Sequence, residues 1–172
     1  MNMNAPYKVV ELAVHYMDTF LADSKEESPE FLRLIAIICF MIANKQEDFS
    51  SHQITIPLVA QKTGCDPLTV RELEMRILNS LGWKLNILTP SEVCIGLLQP
   101  FLKSTCDIDF PQKLCEYTWE FCISALHIKP LLQGSQVDIG IAVAIATFDV
   151  VEPQKVLSFL DWVSQSYSLN WV

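Results

Sequence analysis

The chain has 172 residues, 51% of them hydrophobic and only 19% charged, so it can fill a sizeable core in one domain or two small ones. Lys and Arg number 12 against 20 Asp and Glu, a formal net charge of −8, and no basic cluster is present to bind nucleic acid through its phosphates. Its six cysteines include no C-x-x-C pair, and Cys39, Cys94 and Cys122 fall inside apolar helical runs, which predicts free thiols in a reducing compartment. The first residues, MNMNAPYKVVEL, contain no long apolar run of the secretory type, so the expected location is cytoplasmic, nuclear or both.

The first predicted helix runs from about Pro6 to Ala22, with Val9, Leu12, Ala13, Tyr16, Met17 and Phe20 at helical spacing. Asp18 interrupts this set close to the apolar face. Ser28-Pro29 opens a second helix, Ser as N-cap and Pro at the first helical position. From Phe31 to Ala43 this helix carries one charge, Arg33, so it must be wrapped by other helices. It is too short to cross a bilayer, which takes about 20 apolar residues. It runs out in Asn44-Lys45-Gln46-Glu47-Asp48. That cluster reads as the working end; a buried helix also needs a soluble exit, and the pattern alone does not choose between the two.

Ile56-Pro57 begins a short helix closed by Gly64. Asp66-Pro67 opens the next, with Val70, Leu73, Ile77 and Leu81 on one face and Glu74 and Leu78 a turn apart on an adjacent one. Gly82 stops it, and residues 82–88 read as an extended connector. Thr89-Pro90-Ser91-Glu92 is a capping box that restarts the chain. The helix it opens reaches Pro100, which is expected to bend or end it. Asp109-Phe110-Pro111 opens an amphipathic helix of Leu114, Tyr117, Trp119, Phe121 and Leu126. Gln136 to Val151 is again almost wholly apolar, the counterpart of the helix after Pro29. A last amphipathic helix carries Val156, Phe159, Leu160 and Val163. No strand is required. The expected fold is all-α, two tandem helical bundles over residues 1–88 and 89–172, each around one buried helix.

Catalytic chemistry has no support. His15, His52 and His127 are far apart and no metal-ligand spacing, P-loop, G-x-S-x-G or G-x-G-x-x-G occurs. No enzyme activity, catalytic residue, cofactor, metal, small-molecule ligand or membrane is expected. Ser28-Pro29 and Thr89-Pro90 fit proline-directed phosphorylation, but each is already explained as a helix cap.

Three ordered pieces of the first half resemble the cyclin box. The first is Ala13-Val14-His15-Tyr16-Met17-Asp18-Thr19-Phe20-Leu21-Ala22, against a family pattern of A-V-x-Y, an apolar residue, and D-x-F-L. The second is Ala43-Asn44-Lys45-Gln46-Glu47-Asp48, against a buried helix ending A-S-K-aromatic-E-E. The third runs from Glu72 to Leu85 and contains Glu74, Leu78 and Leu81-Gly82-Trp83-Lys84-Leu85, with Thr89-Pro90 after it. The match covers residues 8 to 90; beyond that only the helix pattern agrees with a second cyclin fold. Similarity to cyclins implies a regulatory subunit that binds and activates a cyclin-dependent protein kinase. By residue-to-residue carry-over, Lys45 and Glu74 sit side by side and bond main-chain groups of the kinase's movable helix, with Glu47 and Leu78 at the same surface. The alternative implied is a cyclin-fold interaction module, scaffolding or transcription-associated, that activates nothing.

The sequence departs from the family in three places. The usual helix before the A-V-x-Y piece is expected to be missing, leaving the first bundle one helix short and Asp18 without its usual arginine. Arg33 and Arg76 are the candidate replacements; otherwise Asp18 must stay in water. Gln46 stands where the family has an aromatic. The second bundle is expected to have about four helices.

Overall fold

In the computed structural model the described residues are 5–22, 28–47, 54–105, 112–128 and 135–167. They form eight α-helices and one 3-10 turn, with no strand among them. The chain divides into two compact units, Met1–Ile87 and Leu88–Val172.

The first unit holds α1 (Ala5–Ala22), α2 (Pro29–Gln46), α3 (Ile56–Thr63) and α4 (Pro67–Ser80). Their ends follow from local chemistry. Ser28 Oγ accepts from the Phe31 amide at 3.2 Å and Asp66 from the Leu68 amide at 3.2 Å, each with Pro at the start of the helix that follows. Gly64 closes α3 at φ 72°, a left-handed conformation that costs glycine nothing. At the end of α4, Gly82 and Trp83 both take positive φ, and the Trp83 indole N–H donates to Asn79 Oδ1 at 3.1 Å.

Helix α2 is the axis of this unit, packed by α1, α3 and α4. Ile35, Ile38, Cys39, Met41, Ile42 and Ala43 are buried along it, against Leu12 and Tyr16 of α1 and Val70, Leu73 and Ile77 of α4 in one core. It is not wrapped all round: Arg33 and, one turn later, Ile37 stay exposed. Three helices around one cylinder leave a strip open, which an apolar run cannot reveal.

The second unit holds α5 (Pro90–Thr105), α6 (Gln112–Leu126), α7 (Gln136–Val151), the 3-10 turn Pro153–Lys155 and α8 (Val156–Tyr167). Both bonds of the capping box are present: the Thr89 amide donates to Glu92 Oε2 at 3.0 Å, and the Glu92 amide to Thr89 Oγ1 at 3.4 Å. Pro100 does not end α5, which continues to Thr105 with Pro100 exposed on its outer side. The opening of α6 at Asp109-Phe110-Pro111 lies outside the described residues. Helix α7 packs against α5, α6 and α8. Phe101, Phe148 and Phe159 close the core, with ring centroids 4.8–5.3 Å apart. Among the described residues no helix is long and apolar enough to cross a membrane.

Candidate functional site

Helix α2 ends in Ala43-Asn44-Lys45-Gln46, and its last turn passes from the core to the surface. Ala43 and Asn44 are buried; Lys45 and Gln46 are exposed. Asn44 Oδ1 accepts from the amide of Ile54 at 3.1 Å, which pins the chain returning to α3 against the end of α2. On α4, burial of Val70, Leu73 and Ile77 turns Glu74 toward the rim. The two helices bring Lys45 Nζ within 2.6 Å of Glu74 Oε1, across 29 residues of sequence. The Lys45 side chain is 41% exposed and that of Glu74 12%, so the pair lies at the surface with its acid partly sheltered.

Leu78, one turn after Glu74, is buried and belongs to the core of the unit. It packs beneath Glu74 and keeps 8% of its surface exposed in the free chain. Glu47, expected beside Lys45 as an outward contact, is half-buried and paired with Lys8 of α1 at 2.8 Å. Gln46 lies exposed between them.

Helix α1 supplies the wall behind this cluster. Tyr16 is fully buried, and its hydroxyl donates to the carbonyl of Leu85 in the connector after α4 at 2.6 Å. Burial, then the neighbouring Glu47 carboxylate, pushes the Tyr16 phenol up to about 12. Cys39 is also pushed up to about 12, by burial and then by Asp18, so its thiol stays protonated and packs as a small hydrophobe. Asp18 pairs with neither Arg33 nor Arg76; it remains exposed to water. Its carboxyl is raised by partial desolvation, against which His15 pulls down; the same environment lowers His15, with Asp18 opposing. Among the described residues no three His, Cys, Asp or Glu side chains gather as a metal site.

Lys8, the Tyr16 hydroxyl and the bond from the Ile54 amide to Asn44 were not legible as parts of this region. Lys8 and Tyr16 fall on one face of α1, two turns apart, which is the single sequence signal they share.

Residues 2–86 match the family model described as "Cyclin, N-terminal domain". Among curated proteins the chain is 33% identical over 98 residues to Cyclin-D of Ostreococcus tauri, covering 55% of this chain and 25% of that protein. It is 28% identical over 109 residues to Cyclin-D3-1 of Arabidopsis thaliana, covering 59% of this chain and 28% of that protein. It is 27% identical over 88 residues to Cyclin-D5-2 of Oryza sativa subsp. japonica, covering 49% of this chain and 24% of that protein. The chain thus spans about a quarter of the length of these relatives. With a helical first unit, the cyclin N-terminal model over residues 2–86 and D-type cyclins as relatives, the chain belongs to the cyclin family.

Proposed function

We propose that this chain is a regulatory subunit that binds a cyclin-dependent protein kinase and activates it through the surface where Lys45 meets Glu74. The observation that carries the reading is the 2.6 Å contact between a surface lysine and a mostly sheltered glutamate from two different helices of the cyclin N-terminal region. In the free protein the pair is a surface ion pair worth at most about 1 kcal/mol. Its value lies in what it still offers. An ammonium has three donors and a carboxylate several acceptor sites, so one bond between them leaves both able to bond main-chain groups of a partner. Each charge-assisted bond contributes about 1.5–3 kcal/mol, more than a neutral one. Activation follows by population shift: a subunit that grips only the active arrangement of the kinase's movable helix raises the share of that arrangement by its differential affinity.

Leu78 supports this surface from below, and the second unit is read as the family's second fold by its helix pattern. A cytoplasmic or nuclear location accompanies the kinase partner. The net charge of −8 argues against nucleic acid as a partner. Exposed Gln46, in place of the aromatic in the family pattern, favours one second reading: a cyclin-fold module that binds a scaffold or transcription-associated partner without activating a kinase. Capture of a kinase on the immobilised chain, followed by a phosphorylation assay, separates the two. Lys45→Glu combined with Glu74→Ala is expected to weaken kinase binding by at least about tenfold, the loss of one charge-assisted bond or more, with unchanged helical circular dichroism. Wild-type affinity in the double variant ends the assignment.

A further inference from the structure

Glu47 and Lys8 stand at the wrong ends of their helices. Glu47 caps α2 at its carbonyl end, where the helix dipole disfavours an anion, and Lys8 lies in the first turn of α1, where it disfavours a cation. Neither position is explained by the helix that bears it. The two are explained by each other: Lys8 Nζ lies 2.8 Å from Glu47 Oε1, with side chains only 22% and 19% exposed, so the pair is better sheltered than Lys45 is. Two turns further along α1, on the same face, Tyr16 holds the carbonyl of Leu85 beyond α4. Helix α1 is therefore fastened at one point to the end of the helix that bears Lys45. At another it is fastened to the segment that follows the helix bearing Glu74.

We infer that Lys8 is a positioning residue: its ion pair with Glu47 holds the last turn of α2 so that Lys45 and Glu74 are offered together to the kinase, and Glu47 acts inside the unit instead of touching the partner. This rests on the kinase-binding reading above. The last turn of a helix frays most readily because its final carbonyls lack intrahelical partners. Lys8 neutralises the acid that would aggravate this, and ties the turn to a neighbouring helix. Lys45 is two residues away from that tie.

Charge exchange tests it on the full chain. Lys8→Glu and Glu47→Lys alone are each expected to weaken kinase capture about fivefold, the worth of one sheltered surface pair. Each is also expected to speed amide hydrogen exchange at residues 43–47 of the free protein. The double variant Lys8→Glu, Glu47→Lys restores the pair with both charges at the ends the dipoles favour, and should return both readouts to within about twofold of wild type. Lys8→Arg should match wild type. Lys8→Gln, which removes the pair without adding a like charge, should act in the same direction as Lys8→Glu and guards against a variant that fails to fold. The inference is overturned if the exchanged pair protects residues 43–47 but binds kinase as poorly as Glu47→Lys, because the partner then reads the sign of Glu47 directly. Unchanged exchange in both single variants overturns it as well, and that readout needs no kinase. A wild-type chain that captures no kinase sinks the functional reading alone and leaves the exchange readout to judge the tie.

Discussion

Tyr16 shows how much a single side chain carries here. Its ring fills the core of the first unit, and its hydroxyl reaches a main-chain carbonyl 69 residues away. Tyr16→Phe keeps the ring and removes the donor, leaving the partly buried Leu85 carbonyl without that bond. The expected cost is about 1 kcal/mol, read as a lower urea midpoint with an unchanged slope. A midpoint equal to wild type would mean that water replaces the hydroxyl at no cost. The apolar role of Tyr16 was legible in its spacing with Leu12 and Phe20. The hydroxyl's partner was not, because a carbonyl in an extended connector has no signature. The same holds for Lys45 and Glu74. Their meeting was expected from the family resemblance and not from spacing, since nothing in either helix states where the other lies.

At the scale of elements, the two apolar helices α2 and α7 show the reach and the limit of hydrophobic patterning. Each was legible as a core helix because almost every residue is apolar. Which side faces inward was not legible, since a run with so few polar residues has little periodic signal. Packing decided it, leaving Ile37 exposed on α2, and Val137 and Val150 exposed on α7. Gly140 is the sharpest case. A Cβ at that position would lie 2.5 Å from Val93 Cβ and 2.9 Å from the Pro90 carbonyl oxygen, so α7 meets the start of α5 through bare backbone. Helix propensity alone favours Ala over Gly by about 1 kcal/mol. Overpacking against a β-branched side chain and a carbonyl costs about 1–3 kcal/mol and should win. Gly140→Ala is therefore expected to lower the thermal midpoint; a raised midpoint would show that α5 and α7 separate easily. Several helix ends, by contrast, were legible, because Ser28, Asp66, Gly64 and the Thr89–Glu92 box act within four residues of themselves; the end of α5 was not, since Pro100 lies inside it.

For the molecule as a whole, buried protons set an alkaline limit on stability. Cys39 rises from 9.0 to about 12 and Tyr16 from 10.0 to about 12 on folding. The folded state keeps both protons at pH values where the unfolded chain releases them. Their contribution is complete below about pH 9 and is lost as pH rises through about 12, because the unfolded state binds fewer protons across that window. Urea midpoints should fall from pH 9 upward. Cys39→Ala should delay the onset toward pH 10, where Tyr16 takes over. A flat midpoint between pH 8 and pH 11 would contradict the burial of both groups. The sequence by itself determined the all-helical fold, most of the helix caps, the acidic charge and the resemblance to cyclins. Each of these is written in contacts or patterns a few residues long. Only the tertiary structure decided that Lys45 reaches Glu74, that Glu47 turns to Lys8, that Asp18 stays in water and that Gly140 touches Val93. Those pairings depend on the angle and register at which whole helices settle on one another, which the complete core fixes at once.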